Sequence, residues 1–162
     1  MSRIPPTIRR YVVPAQVLQD SGELLRERGR HGLEAVVVWV GRLLDETNGA
    51  VAAAVRPRQV AYRSDAGCAV EVPPDALSEL IAALPHGVVV LARLHTHPTT
   101  AYHSPVDDTN MLISHNGAIS IVVPCFAREP IDLTRCSVNQ LVHGTGWIQL
   151  SPDEVTDRFE IR

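Results

Sequence analysis

The sequence predicts a mixed α/β (α+β) fold, a central mixed β-sheet flanked by helices, and three observations carry that expectation. Three apolar runs rich in β-branched residues, over 35–41, 88–94 and 118–124, read as strands buried on both faces. Helical patterns separate them, so strands and helices alternate along the chain. The turn signal Asp45-Glu46-Thr47-Asn48-Gly49 joins two strand candidates as a hairpin, which makes part of the sheet antiparallel.

Taken in order, residues 1–8 form an extended lead-in around Pro5-Pro6, and Arg10 to Val13 reads as a short strand stopped by Pro14. Apolar positions 17, 18, 24 and 25 among Glu and Arg give an amphipathic helix from Ala15 to Arg30, weakened at Ser21-Gly22. The run after Glu34 is the first central strand, and the hairpin returns through Ala50 to Val55. A strand is expected at Cys68 to Val72. Pro73-Pro74-Asp75 then opens a helix with Leu77, Leu80, Ile81 and Leu84 on one face. Val88 to Leu94 is the second central strand, and a helix is expected from Ser104. Gly117 precedes the third central strand, two strands occupy 131–150, and Ser151-Pro152-Asp153-Glu154 reads as a capping box opening a terminal helix.

The 162 residues suit one domain, 1–162, with a sizeable core; 45% hydrophobic and 20% charged residues are those of a soluble globular chain. A net charge of −3 gives no electrostatic case for nucleic acid. No apolar stretch is long enough for a membrane and no signal-peptide pattern opens the chain, so a cytoplasmic location is expected. All fifteen basic residues are arginine, which fits a coding bias. Cys68, Cys125 and Cys136 are odd in number and lack C-x-x-C spacing, so they are expected to be small buried thiols.

The chemistry concentrates between Leu94 and Asp108. His95 and His97, two apart at a strand end, point to one face. Ser104 stands where an N-cap belongs, Pro105 fits the first helical position, and Asp107 falls in the first turn. Two imidazoles and a carboxylate make a set that leaves zinc one open position. Asp108 competes with Asp107, and adjacent helical residues diverge by about 100°, so only one reaches a metal. Glu34, at the mouth of an apolar strand, is the candidate base, because an ionised carboxylate there needs a metal, water or donor beside it. Each feature also has a plain structural reading: a strand His-x-His arises by chance, and capping alone explains Ser104. His103 and His115 are candidate extra ligands, but His103 is read first as a loop residue at the site mouth and His115 as a polar position near a helix end. His31, His86 and His143 are read as structural or exposed.

Glu34, His95-Thr96-His97-Pro98 and Ser104-Pro105-Val106-Asp107 together resemble the JAMM motif of the JAB/MPN metalloproteases, in order and in the strand and helix placement of each part. The bacterial branch of that family is the nearest resemblance. It implies the MPN fold, similar to the cytidine-deaminase architecture, with zinc held by His95, His97 and Asp107. It further implies that Glu34 takes the proton of the attacking water and that Ser104 stabilises the oxyanion. The expected reaction is hydrolysis of a peptide or isopeptide bond after the C-terminal tail of a ubiquitin-like protein. The expected partners are that protein, its conjugates, and the activating and conjugating enzymes of the same pathway. One departure is the loop Thr99 to His103, five residues where familiar eukaryotic members have six. Counted from Ser104 the aspartate is Asp107; counted from His97 it is Asp108.

Three alternatives share these residues. A related peptidase would process a sulfur-carrier protein with the same site. A silent MPN scaffold is disfavoured by the intact motif, and a zinc deaminase by the missing Cys-x-x-C pair.

Overall fold

The computed structural model of the chain describes residues 8–104, 113 and 115–162. The strands are β1 (Arg10–Val13), β2 (Val36–Leu43), β3 (Asn48–Val55), β4 (Val60–Ser64), β5 (Gly67–Glu71), β6 (Val89–Thr96), β7 (Ile119–Val123), β8 (Ser137–Val142), β9 (Gly146–Gln149) and β10 (Phe159–Ile161). The helices are α1 (Ala15–Gly29), α2 (Pro74–Ala83) and α3 (Pro152–Arg158). Among the described residues, eight strands form one sheet in the order β10-β1-β3-β2-β6-β7-β8-β9, and β4 and β5 form a separate ribbon. The β1–β10, β1–β3 and β6–β7 pairs are parallel and the remaining pairs antiparallel, so the sheet is mixed as its sequence predicts.

The three apolar runs occupy the centre because only there are both faces covered. Val36 to Val40 on β2, Leu91 and Leu94 on β6, and Ile119 and Ile121 on β7 are all buried. Alternation sorts them into two layers. Val37, Trp39, Leu94, Ile119 and Ile121 meet Val17 and Leu25 of α1, together with Tyr11 and Phe159. Val36 belongs to a smaller layer with Val72 and Ala76, the α2 side. Full burial of a side chain such as Leu94 contributes about 1.5–3 kcal/mol.

Ser21 and Gly22 do not weaken α1; they are its contact. Ser21 Oγ donates to the Val17 carbonyl at 2.6 Å and accepts from the Trp39 indole at 2.8 Å, and small residues let the helix sit close. The capping box of α3 forms as read: Ser151 Oγ accepts from the Glu154 N–H at 3.2 Å, and the Ser151 N–H donates to the Glu154 carboxylate at 2.7 Å.

Four readings change. β4 carries no strand signal of its own and is made by pairing with β5. After α3 the chain adds β10, parallel to β1 at the sheet edge. The second central strand continues past Leu94 to Thr96, because His95 pairs with Val36 on one side and Val122 on the other, and Thr96 pairs with Val123. The cysteines are free but not fully buried, and Cys125 is exposed, because it sits on a turn at the end of β7 rather than within a strand. The helix expected from Ser104 falls on residues outside those described. Among the described residues no helix is long and apolar enough to cross a membrane.

Candidate active site

The antiparallel pairing of β2 with β6 sets Val36 opposite His95. Beyond the last ladder pair the two chains stay joined: the Thr96 N–H donates to the Ala35 carbonyl at 3.2 Å, and the Ala35 N–H donates to Thr96 Oγ1 at 3.1 Å. Continuing that register brings Glu34 opposite His97, and directly opposed residues share a face. Glu34, His95 and His97, sixty residues apart in part, thus line one face at the end of two central strands. All three are buried, at 7%, 6% and 6% exposure.

The imidazoles are turned tip to tip. His95 Nε2 and His97 Nε2 lie 3.3 Å apart, with ring centroids 5.1 Å apart and planes at 63°. The Tyr102 ring meets His97 edge-on at 4.5 Å, fixing the second imidazole from the loop side.

The turn that follows is held by the neighbouring strand. The His97 N–H donates to the Val123 carbonyl at 3.0 Å, the Phe126 N–H to the His97 carbonyl at 2.9 Å, and the Cys125 N–H to the Thr99 carbonyl at 2.8 Å. These bonds require the chain after β7 to coil left-handed: Cys125, Phe126 and Ala127 have φ of 55°, 52° and 56°. Each such non-glycine residue costs on the order of 1–3 kcal/mol unless its surroundings fix it. Here they do, since Arg26 Nε donates to the Ala127 carbonyl at 2.9 Å and Phe126 packs on Gly29 of α1.

Ser104 ends the described loop, half-buried. Asp107 and Asp108, the carboxylates expected to join the histidines, lie outside the described residues; among the described residues no group of three His, Cys, Asp or Glu side chains gathers as a metal cage. His103 packs on the Trp147 ring, centroids 5.4 Å apart. His115 is half-buried, and burial, with His143 second, holds its pKa below the usual histidine range. His31, His86 and His143 are exposed, in agreement with their glycine-rich turns.

No family model matches the chain. A probable metalloprotease of Sinorhizobium fredii (strain NBRC 101917 / NGR234), y4jG, is 34% identical over 153 residues, covering 94% of this chain and 93% of that protein. The chain belongs to this metalloprotease family.

For a metalloprotease the histidine pair is the feature to test against a metal. Two nitrogens each about 2.0–2.1 Å from one tetrahedral ion stand about 3.3–3.4 Å apart. The observed separation is 3.3 Å. The donor set fits, and both rings are buried.

Several residues around the histidine pair were not read from the sequence. Thr96 ties the Glu34 segment to β6, and Arg93, two residues before His95, lies buried on the same face. Strand alternation alone would have found Arg93. Gln59 bonds both backbone groups of Val36, a role with no local sequence signal because it depends on where β3 stops.

Proposed function

We propose that the chain is a zinc-dependent JAMM (iso)peptidase that hydrolyses the bond after the C-terminal tail of a ubiquitin-like protein. The observation that carries the reading is the 3.3 Å approach of His95 Nε2 to His97 Nε2 with Glu34 brought to the same strand ends. His95, His97 and Asp107 would hold the ion; Asp107 is chosen over Asp108 because the helix expected from Ser104 would fix its spacing from that residue. A bound zinc ion supplies Lewis acidity, acidifying a water and polarising the scissile carbonyl. Glu34 accepts a proton from the attacking water and returns it to the leaving amine, a task suited to a carboxylate held in a buried, low-dielectric position. Ser104 offers its hydroxyl to the oxyanion that develops as the carbonyl is attacked.

The tail would dock as an added strand, the usual way an extended peptide is held. The β4–β5 ribbon is the favoured edge. It starts at Val60, next to Gln59 and therefore beside Val36, and among the described residues neither outer edge pairs with a strand. Val60 and Tyr62 on β4 are exposed. The substrate class, including a sulfur-carrier protein with a similar tail, and the conjugation enzymes as partners rest on the motif resemblance.

Metal analysis coupled to cleavage of fusions bearing a ubiquitin-like tail tests the reading. Wild type should bind one zinc and cleave, and Glu34→Gln should bind zinc without cleaving. If both bind zinc and neither cleaves any such fusion, a scaffold replaces the peptidase. Zinc content of Asp107→Ala against Asp108→Ala decides the third ligand; loss only in the second would reassign it.

A further inference from the structure

We propose that Trp147, with Arg93 beneath it, is a positioning element that docks the loop 98–104 through His103 and so keeps Ser104 over the site. Arg93 is 1% exposed, in the middle of a central strand whose apolar neighbours would be cheaper to bury. It points to the same face as His95, because the two are separated by one residue on β6.

Its surroundings form a polar path across the sheet. Arg93 pairs with Ser120 on β7, and Arg93 Nε donates to Ser120 Oγ at 3.0 Å. Ser120 pairs with Asn139 on β8, which is also buried. Trp147 on β9 stands opposite Leu141, on the same face. The guanidinium and the indole meet over this face, the guanidinium carbon 5.4 Å from the ring centroid. A guanidinium over an indole is a directional contact, strongest when desolvated.

The indole carries a second contact, the His103 ring at 5.4 Å and 59°. This completes the attachment of the loop. Its near end is held by Val123 and Cys125 through the backbone of His97 and Thr99. Its middle rests on His97 through Tyr102. Its far end is held by Trp147 through His103, the residue directly before Ser104. Trp147 touches no reacting atom in this scheme; it acts through the loop.

The catalytic part of this inference rests on the peptidase reading, and the docking part does not. Amide hydrogen exchange should therefore be followed in the full chain for Trp147→Ala, Trp147→Phe and His103→Ala. Peptides over 98–104 should exchange at least tenfold faster in Trp147→Ala and His103→Ala, with peptides over β6 and β7 unchanged. Trp147→Phe, which keeps a ring for both contacts, should return close to wild type. His103→Ala keeps the test open if Trp147→Ala does not fold. Loop exchange within twofold of wild type in a folded His103→Ala overturns the docking. With a cleaved tail fusion, kcat should fall about tenfold in both alanine variants while KM stays within twofold. Faster loop exchange with unchanged kcat overturns the positioning role; faster loop exchange in a protein that cleaves no tail fusion supports the docking and fails the peptidase reading instead.

Discussion

The side-chain amide of Gln59 takes the place of a strand beside Val36. Its Oε1 accepts from the Val36 N–H at 2.8 Å, and its Nε2 donates to the Val36 carbonyl at 2.9 Å. β3 pairs with β2 only as far as Val55 opposite Val38, so without Gln59 the buried end of β2 would present two groups to no partner. This arrangement lets the chain leave the sheet for β4 while the segment bearing Glu34 stays in register with His97.

Replacing Gln59 with Leu should therefore destabilise the fold out of proportion to its size. Each buried main-chain group left unpaired costs about 1–3 kcal/mol. Urea denaturation should show a loss of roughly 2–6 kcal/mol for Gln59→Leu, from these two groups together. A change below about 0.5 kcal/mol, the ordinary range of surface substitutions, would mean that Val36 finds other partners.

Gly29 is the second position where a small change should travel to the site. A Cβ there would stand 2.6 Å from Phe126 Cβ and 2.8 Å from the Phe126 carbonyl oxygen. Phe126 in turn donates its N–H to His97. Gly29→Ala should cost about 1–3 kcal/mol by overpacking. It should also weaken zinc binding at least tenfold in competition with a chelating dye, through displacement of the His97 turn. Lost stability with unchanged zinc affinity would separate the turn from the ligand loop.

What the sequence made legible was whatever depends on periodicity or local chemistry. The apolar runs placed the central strands, the Asp45 to Gly49 signal placed the hairpin, and Ser151 placed α3 through a capping box that forms in full. Motif order named Glu34 but not its neighbour, which follows only from the β2–β6 register that ends at Val36 opposite His95. Features that depend on a distant partner were illegible. Ser21-Gly22 reads as a weak point until Trp39 is seen to bond Ser21. The left-handed run at Cys125 to Ala127 contains no glycine, so nothing local announces it. Nothing local gives Arg93 a role, because its partners Ser120 and Trp147 lie on strands that follow it.

His115 should make stability fall on acidification. Burial, with the His143 imidazole second, keeps its folded pKa below the usual histidine range. The unfolded chain takes up that proton near pH 6.5, before the folded one does. Its contribution is therefore complete above about pH 6.5 and is lost as pH falls from there through the lower folded value. In chelator-treated protein, the denaturation midpoint should drop between pH 7.5 and 5, and His115→Gln should flatten that slope. Equal slopes in the two proteins would assign the acid sensitivity elsewhere.

Metal should act as a stabilising ligand, because the two imidazoles are already aimed at one point by strands that do not need the ion to pair. With the Nε2 atoms 3.3 Å apart, the folded chain offers a preformed donor pair that an unfolded chain lacks. Zinc at a hundredfold excess over its Kd should add about 2.7 kcal/mol of stability. For a chain of this size that corresponds to a rise in Tm of roughly 5–10 °C. His97→Ala should remove the rise while leaving most of the metal-free Tm in place, since the ring closes no core layer and the strand is held by its backbone bonds to Val123 and Phe126. An identical Tm for the wild-type chain with and without zinc would show that the pair does not hold the ion in the folded state.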